Sequence, residues 1–144
     1  MENIWKNGMY GLIVGDALGV PVEFSAREER KADPVTGMRE YGTYNQPKGT
    51  WSDDSSMAIA TMDSIKTLGE IDYKDIMNRF SKWCLDGEYT PFHEVFDIGI
   101  ATSKAIMNYR RGMKPTESGG LAERDNGNGS LMRILPVCLY LYER

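Results

Sequence analysis

The sequence predicts an all-α fold, a compact multi-helix domain over residues 1–144. Apolar residues recur at intervals of three and four in several segments, and glycines follow the ends of these segments. No segment shows the sustained two-residue alternation that is typical of half-buried strands. With 41% apolar residues, the chain can bury a core of its own without disulfide bonds.

The first predicted helix runs from Ile4 to Leu18. Its apolar positions have helical spacing, although its glycines lower the intrinsic helix propensity, and this combination indicates a buried helix. Asp16 lies within it. Because an unpaired charge in such a setting is costly, Asp16 is expected to have a partner.

Residues 21–51 mix proline, glycine and charged residues without periodicity, so an exposed excursion is expected there. The next helix is predicted to have Ser52 as its N-cap and to run to about Leu68. Asp53 and Asp54 then fall in its first turn, where carboxylates interact favourably with the positive end of the helix.

Two more helices are predicted in the middle of the chain. Asp72 can cap a helix that ends at Gly87. A further helix is expected over roughly Phe92 to Arg111, with Ile100, Ile106 and Met107 among its inward positions. Asp97 would lie in the early turns of this helix.

The C-terminal segment from Leu131 to Tyr142 is apolar on nearly all sides. Pro136 should kink or restart a helix there, because proline cannot donate a backbone hydrogen bond. A segment of this kind requires burial on every side, so we expect it to associate with another chain.

Composition excludes several classes of function. The net charge of −4 and the absence of long basic runs argue against nucleic acid as a partner. Cys84 and Cys138 show no CxxC spacing, so neither a zinc site nor a disulfide framework is expected, and a cytoplasmic location fits best. The apolar run from Gly8 to Val20 contains Asp16 and is too short to span a membrane.

Two motifs carry the candidate chemistry. In SDDSS, at residues 52–56, a hydroxyl and two carboxylates are oxygen ligands of the kind that hard divalent cations select, although these five residues alone more often form an acidic helix cap. NGNGSLMR, at residues 126–133, could direct backbone amides at a phosphate or a sugar hydroxyl. Its alternative is an ordinary glycine-rich turn.

The motifs GxxxGDALGxPxEF, GTWSDDSSMA, DIG and NGNGSLMRILP follow one another from about Gly8 to Pro136. Together they resemble the ADP-ribosylglycohydrolase family, also called DraG-like. The resemblance implies an all-α fold in which a pair of magnesium ions binds the ribose hydroxyls of ADP-ribose attached to a protein side chain. Water then cleaves the N- or O-glycosidic bond at the anomeric carbon, so ADP-ribose or an ADP-ribosylated protein is the implied partner.

The same resemblance assigns roles to particular residues. Ser52, Asp53 and Asp54 correspond to the metal ligands, with serine in place of the usual threonine. Glu23 corresponds to an acidic residue that approaches the metals and is gated around the substrate, and Asp97 to the carboxylate that activates water or assists bond cleavage. The loop that holds ribose and diphosphate corresponds to Asn126, Gly127, Asn128, Gly129, Ser130 and Met132.

One feature departs from the family pattern. Family members are longer and carry a second metal motif of the Asp-x-Asp-Thr type near the C-terminus, whereas no DxD follows Asp54 here. We therefore expect an N-terminal part of the fold that holds one magnesium ion or none tightly. A fragment, a chain completed by a partner or a second copy, and a shortened binding domain remain open. The corresponding functions are a magnesium-dependent hydrolase, a non-catalytic ADP-ribose- or protein-binding module, or a structural domain.

Overall fold

The computed structural model describes residues 3–144, and it confirms the all-α class. Helices and turns account for the regular structure of this part of the chain, which contains no strand beyond an isolated bridge between Tyr41 and Gln46. The α-helices in it are α1 (Ile4–Gly19), α2 (Arg27–Ala32), α3 (Asp53–Leu68), α4 (Tyr73–Asp86), α5 (Ile100–Arg110) and α6 (Leu135–Tyr142).

The first helix matches its predicted bounds closely. The side chain of Asn3 caps α1 by accepting a hydrogen bond from the Lys6 N–H at 3.0 Å. Met9 and Ala17 are its buried residues. Gly8 lies against α6, where an added Cβ would contact the Leu139 side chain at 3.5 Å. This is an ordinary van der Waals distance, so the first and last helices are in contact here without requiring glycine.

Helix α3 is the centre of the molecule, because α1, α4 and α6 all pack against it. Its buried surface is lined largely by small side chains, several of which return a hydrogen bond to their own helix. Ser56 and Thr61, for example, each donate to a backbone carbonyl four residues earlier at 2.9 Å. The apolar core lies between α3, α4 and α5 and is formed by Met57, Ala60, Ile76, Met77, Phe80, Trp83 and Ile106.

The predicted stops of α3 and α4 are confirmed. Gly69 and Gly87 take φ values of 72° and 69°, a conformation that glycine adopts without the steric cost of a side chain. Asp72 caps α4 and accepts hydrogen bonds from the N–H groups of Lys74 at 2.8 Å and Asp75 at 2.9 Å.

The helix expected over Phe92 to Arg111 begins only at Ile100. The backbone before it cannot be helical, because His93 and Asp97 have φ values of 58° and 59°. Asp97 therefore lies in a loop and not in a helical turn. Two residues expected to point inward, Ile100 and Met107, are exposed, whereas Ile106 is buried as expected.

Residues 21–51 are largely exposed, as expected, but they contain regular structure that the sequence did not indicate. It consists of α2 and of short 3₁₀ turns, Val20–Val22 and Gly42–Tyr44. These two turns pack against each other. An added Cβ on Gly42 would lie 1.9 Å from the carbonyl oxygen of Pro21, so only glycine fits this contact.

The C-terminal segment restarts as a helix at Leu135, with Pro136 in the first turn of α6. Leu139 is buried against the preceding helices, while Leu131, Ile134 and Leu141 remain exposed. None of the helices within residues 3–144 combines the length and the apolar composition needed to span a bilayer.

Candidate functional site

The carboxylate of Asp16 lies against the start of α3 and supplies the partner that its sequence position required. It accepts hydrogen bonds from the Ser52 N–H at 2.9 Å and the Ser52 hydroxyl at 2.7 Å. The Ser55 N–H and hydroxyl also donate to it, at 3.1 Å and 2.5 Å. Helix α1 thereby fixes the position of the SDDSS segment.

Ser52 occupies the N-cap position, as predicted, but its side chain does not cap the helix. Its hydroxyl donates to Asp16 and accepts no hydrogen bond from an amide of α3. The sequence pattern could not reveal this, because the competing acceptor lies 36 residues earlier in the chain.

Of the two aspartates in the SDDSS segment, Asp53 is buried and Asp54 is half-buried. Asp53 is only 5% exposed, and its Oδ1 accepts a hydrogen bond from the Asp54 N–H at 3.1 Å. Burial, followed by the negative charges of Asp54 and Asp97, raises the pKa of Asp53 to about 8. Burial also raises the pKa of Asp54, with the charge of Asp16 as the second cause. A cation placed here would relieve this repulsion.

Glu23 and Asp97 form a second carboxylate pair beside the first. Burial, followed by a hydrogen bond with Asp97 and the charge of Asp97, raises the pKa of Glu23 to about 7. The Thr43 hydroxyl donates to the backbone carbonyl of Glu23 at 2.6 Å and fixes that residue. Tyr44 lies beside both carboxylates, and burial together with their charges raises the pKa of its phenol, which keeps it protonated.

These residues line one cleft. Glu23, Asp53, Asp54 and Asp97 surround a cavity of about 240 Å³, together with Gly99, Ile100, Ala101, Thr102, Gly127, Asn128, Gly129 and Met132. A neighbouring cavity of about 330 Å³ shares Glu23 and Asp54 and is lined further by Asp16, Gly19, Val20, Val22 and Ser52.

The fold thus brings most of the predicted site residues together. The exceptions are Asn126 and Ser130, which are exposed and are not among the residues that line the cleft. Gly129 approaches α5 so closely that an added Cβ would lie 2.5 Å from the Thr102 hydroxyl. The catalytic, metal-binding and substrate-binding roles of all these residues stay predictions.

Two residues of the site were missed from the sequence. Tyr44 lies in a segment without periodicity, and no local pattern indicates that it reaches Glu23 and Asp97. Thr102 lies in the first turn of α5 and lines the cleft. Its position follows only when the helix is known to begin at Ile100.

The candidate ligands are oxygen donors, the type that magnesium prefers, but they form only part of a coordination shell. Within residues 3–144, no three aspartate, glutamate, histidine or cysteine side chains converge closely enough to hold a metal ion by themselves. Magnesium is nevertheless commonly bound by one or two carboxylates together with waters and substrate oxygens. The oxygen donors of Ser52, Asp53 and Asp54, with the raised pKa of both aspartates, fit such a partial shell.

The fold and the cleft define an all-helical protein with an acidic site suited to a hard cation. The family model for ADP-ribosylglycohydrolase matches residues 4–144, and the chain belongs to this family.

Relatives of known name support the assignment. The chain is 32% identical over 136 residues to the ADP-ribosylarginine hydrolase Tri1 of Pseudomonas putida (strain GB-1), an alignment that covers 94% of this chain and 35% of that protein. It is 31% identical over 131 residues to the ADP-ribosyl-[dinitrogen reductase] glycohydrolase of Rhodospirillum rubrum, which covers 90% of this chain and 42% of that protein.

A solved structure, described as an ADP-ribosylglycohydrolase-related protein complex, has a similar fold. It superposes with a TM-score of 0.68 at 33% identity and covers 91% of this chain and 40% of the other. The chain therefore spans less than half the length of each of these proteins.

Proposed function

We propose that this chain carries the acidic half of the active site of a magnesium-dependent hydrolase that removes ADP-ribose from modified protein side chains. The observation that supports this most directly is the gathering of Glu23, Asp53, Asp54 and Asp97 around one cleft. Membership of the ADP-ribosylglycohydrolase family supports the substrate class.

In this proposal Ser52, Asp53 and Asp54 hold magnesium. When bound, the metal supplies positive charge that orients the ribose hydroxyls and the attacking water. The turn at residues 127–129 also lines the cleft, and its backbone can approach the ribose or the diphosphate.

The chain's own carboxylates handle the protons. Asp97 accepts a proton from the water that attacks the anomeric carbon. Glu23, whose pKa is about 7, donates a proton to the departing atom of the acceptor side chain. A carboxylic acid with a pKa near the working pH is well suited to this task.

Partners and location follow from the same proposal. The proposed partners are ADP-ribose or an ADP-ribosylated protein, and a second copy or completing chain that adds to the partial metal shell of the described residues. A reducing cytoplasm is the proposed location. The alternative, a non-catalytic ADP-ribose-binding module, is kept because the described residues provide only a partial metal shell.

Calorimetric titration of ADP-ribose with and without magnesium tests the proposal, followed by an assay for ADP-ribose released from a modified protein. We expect magnesium-dependent binding, and release that falls when Asp97→Asn is introduced but not with the exposed control Asp86→Asn. Binding without release would select the module, and absence of both would overturn the proposed function.

A further inference from the structure

Arg133, the last residue of the NGNGSLMR segment, is a half-buried cation held against the core. Its guanidinium carbon lies 4.9 Å from the centroid of the Phe80 ring, and its Nη1 donates a weak hydrogen bond to the Met57 sulfur at 3.5 Å. Both partners belong to the apolar core. Within residues 3–144, no aspartate or glutamate forms an ion pair with Arg133. Its charge is therefore removed from water without a direct carboxylate partner.

Two neighbouring residues place Arg133 beside the acidic cleft. Met57 follows Asp53 by one turn of α3, so the sulfur that contacts the guanidinium lies on the same side of the helix as the Asp53 carboxylate. Met132, which directly precedes Arg133, lines the cleft together with Asp53. Burial lowers the pKa of the Arg133 guanidinium, whereas the negative charge of Asp53 acts in the opposite direction. Arg133 thus lies behind the lining of the cleft and within reach of its charge.

The charge of Arg133 is opposite to that of the cleft. The ionisable side chains that line the cleft in the described part of the chain are all carboxylates, those of Glu23, Asp53, Asp54 and Asp97. A positive charge behind them offsets a part of their mutual repulsion when no metal ion is bound. The same charge weakens the attraction of the cleft for a dication, because the energy between like charges grows with the product of the two charges.

Packing alone does not account for an arginine at this position. A methionine of similar length would cover the Phe80 ring without the cost of removing a charge from water. Replacement of buried ionic groups by apolar residues of similar volume is often neutral or stabilising. The cation–π contact with Phe80 recovers a part of this cost, but the charge itself requires a further role.

We propose that Arg133 is an internal counter-charge of the acidic cleft. It stabilises the ionised carboxylates of the metal-free protein, and it limits how tightly the cleft binds magnesium. The second part rests on the proposed function, because that proposal places the metal in the cleft. Arg133 is a positioning residue in this scheme, since it acts through Asp53 and contacts neither the metal nor the substrate. Its effect is to keep the bound metal exchangeable.

Calorimetric titration with magnesium alone, at pH 8.5, tests the effect on metal affinity. Arg133→Met removes the charge and keeps a long side chain, and it should bind magnesium about threefold to tenfold more tightly than the wild type, as expected for the loss of one partly screened charge. Arg133→Lys keeps the charge and should bind like the wild type. The control Arg110→Met, at an exposed position in the last turn of α5, should not change the affinity. A purely structural role predicts weaker binding by Arg133→Met.

A double-mutant cycle tests the counter-charge without any metal. Urea midpoints are measured in EDTA at pH 8.5, above the raised pKa of Asp53, for the wild type, Arg133→Met, Asp53→Asn and the double variant. Arg133→Met should lower the midpoint by more in the wild-type background than in the Asp53→Asn background, because in the latter one of the charges that Arg133 balances is gone. If Arg133→Met does not fold, Arg133→Gln replaces it in both measurements.

The outcomes separate this inference from the proposed function. If Arg133→Met tightens magnesium binding but the wild type releases no ADP-ribose from a modified protein, the proposed function fails and the counter-charge stands. The counter-charge is overturned if the magnesium affinity of Arg133→Met is unchanged, weaker or undetectable. Equal shifts of the urea midpoint in the two backgrounds of the cycle would overturn it as well, because they would mean that Arg133 acts through packing alone.

Discussion

The carboxylate of Asp16 in α1 accepts hydrogen bonds from both the backbone N–H and the hydroxyl of Ser52, at 2.9 Å and 2.7 Å. Ser55 donates two more. Asp16 therefore joins the first helix to the segment that carries Asp53 and Asp54. Its proposed role is to position that segment rather than to react.

Replacing Asp16 should destabilise the fold. Asp16→Ala leaves several half-buried donors at the start of α3 unsatisfied, and we expect the free energy of unfolding to fall by about 3 kcal/mol. Asp16→Asn retains one acceptor oxygen and should cost about 1.5 kcal/mol. Urea denaturation at pH 7 measures both, with the exposed Asp86→Ala as the control. A midpoint for Asp16→Ala equal to that of the control would contradict the positioning role.

Asp53→Asn should weaken magnesium binding without destabilising the metal-free fold. Removal of a buried carboxylate relieves repulsion from Asp54 and Asp97, so the metal-free variant should be at least as stable as the wild type above pH 8. Magnesium at about 100 times its dissociation constant should stabilise the wild type by about 2.7 kcal/mol and the variant by much less.

Thermal unfolding with and without magnesium checks this prediction, and circular dichroism verifies that the helical content is kept. Glu70→Gln, at an exposed position just after the same helix, serves as a comparison outside the cleft. Equal magnesium responses in the wild type and in Asp53→Asn would reject Asp53 as a ligand.

The metal-free protein should lose stability as the pH rises from about 4.5 to 8. The folded pKa values of Glu23 and Asp53, about 7 and 8, lie above their ordinary values of 4.5 and 3.8. In this window the folded state binds more protons than the unfolded state, so unfolding becomes easier as protons are removed. Urea midpoints measured in the presence of EDTA should therefore fall with pH.

Glu23→Gln should make the urea midpoint depend less on pH below pH 7, whereas the exposed Glu70→Gln should leave this dependence unchanged. Since protons compete with the metal for the same carboxylates, the stabilisation by magnesium should grow over the same window. A midpoint that rises between pH 5 and 8 without metal would contradict the raised pKa values.

A second polar cluster fastens the loop that carries Asp97. Arg79 donates from Nε to Asp75 at 2.6 Å and from Nη1 to the Tyr89 hydroxyl at 3.0 Å, and it also pairs with Asp63. The carbonyl of Tyr89 accepts a hydrogen bond from the Trp51 indole at 3.0 Å. Trp51 immediately precedes the SDDSS segment, so this cluster connects the two acidic parts of the cleft.

Arg79→Met should lower the free energy of unfolding by about 2 kcal/mol, because the Arg79 side chain is mostly buried and holds three partners. Tyr89→Phe should cost about 1 kcal/mol. Lys82→Met, which removes an exposed ion pair on the same helix, should cost less than about 1 kcal/mol. Chemical denaturation measures the free energy of unfolding of the three variants. A larger decrease for Lys82→Met than for Arg79→Met would contradict the stabilising role of the Arg79 cluster.

The helices that were predicted well are those whose signals are local. The cap at Asp72 and the stops at Gly69 and Gly87 depend on neighbouring residues only, and each is found where the sequence placed it. The family motifs likewise located most of the acidic cleft.

The loop around Asp97 could not be predicted in this way. Its apolar spacing fits a helix, but tertiary contacts select another backbone. Gly87 packs so closely on His93 that an added Cβ would lie 2.5 Å from the His93 carbonyl oxygen. The contacts of Tyr44 with Glu23 and Asp97 also join distant segments, and no periodic pattern reports such contacts.

The C-terminal apolar segment should mediate association. Leu131 and Ile134, which precede α6, and Leu141 within it are 70%, 44% and 59% exposed, whereas Pro136 and Leu139 of α6 are buried. Near the end of α6, a further cavity of about 710 Å³ lies between α1 and α3 and includes Glu143 in its lining. Apolar surface of this extent favours contact with a second chain.

Light scattering over a range of protein concentrations should therefore show an average mass that rises with concentration. The double variant Ile134→Asp and Leu141→Asp should remain monomeric, because association would bury two unpaired charges. The exposed pair Lys104→Asp and Glu123→Asp, away from α6, should associate like the wild type.

We further expect weak hydrolysis by the unassisted chain, since a partial magnesium shell holds the ribose and the water loosely, and misplacement by about 1 Å can cost roughly a hundredfold in rate. A strict monomer at high concentration, together with full magnesium-dependent hydrolysis, would contradict both expectations.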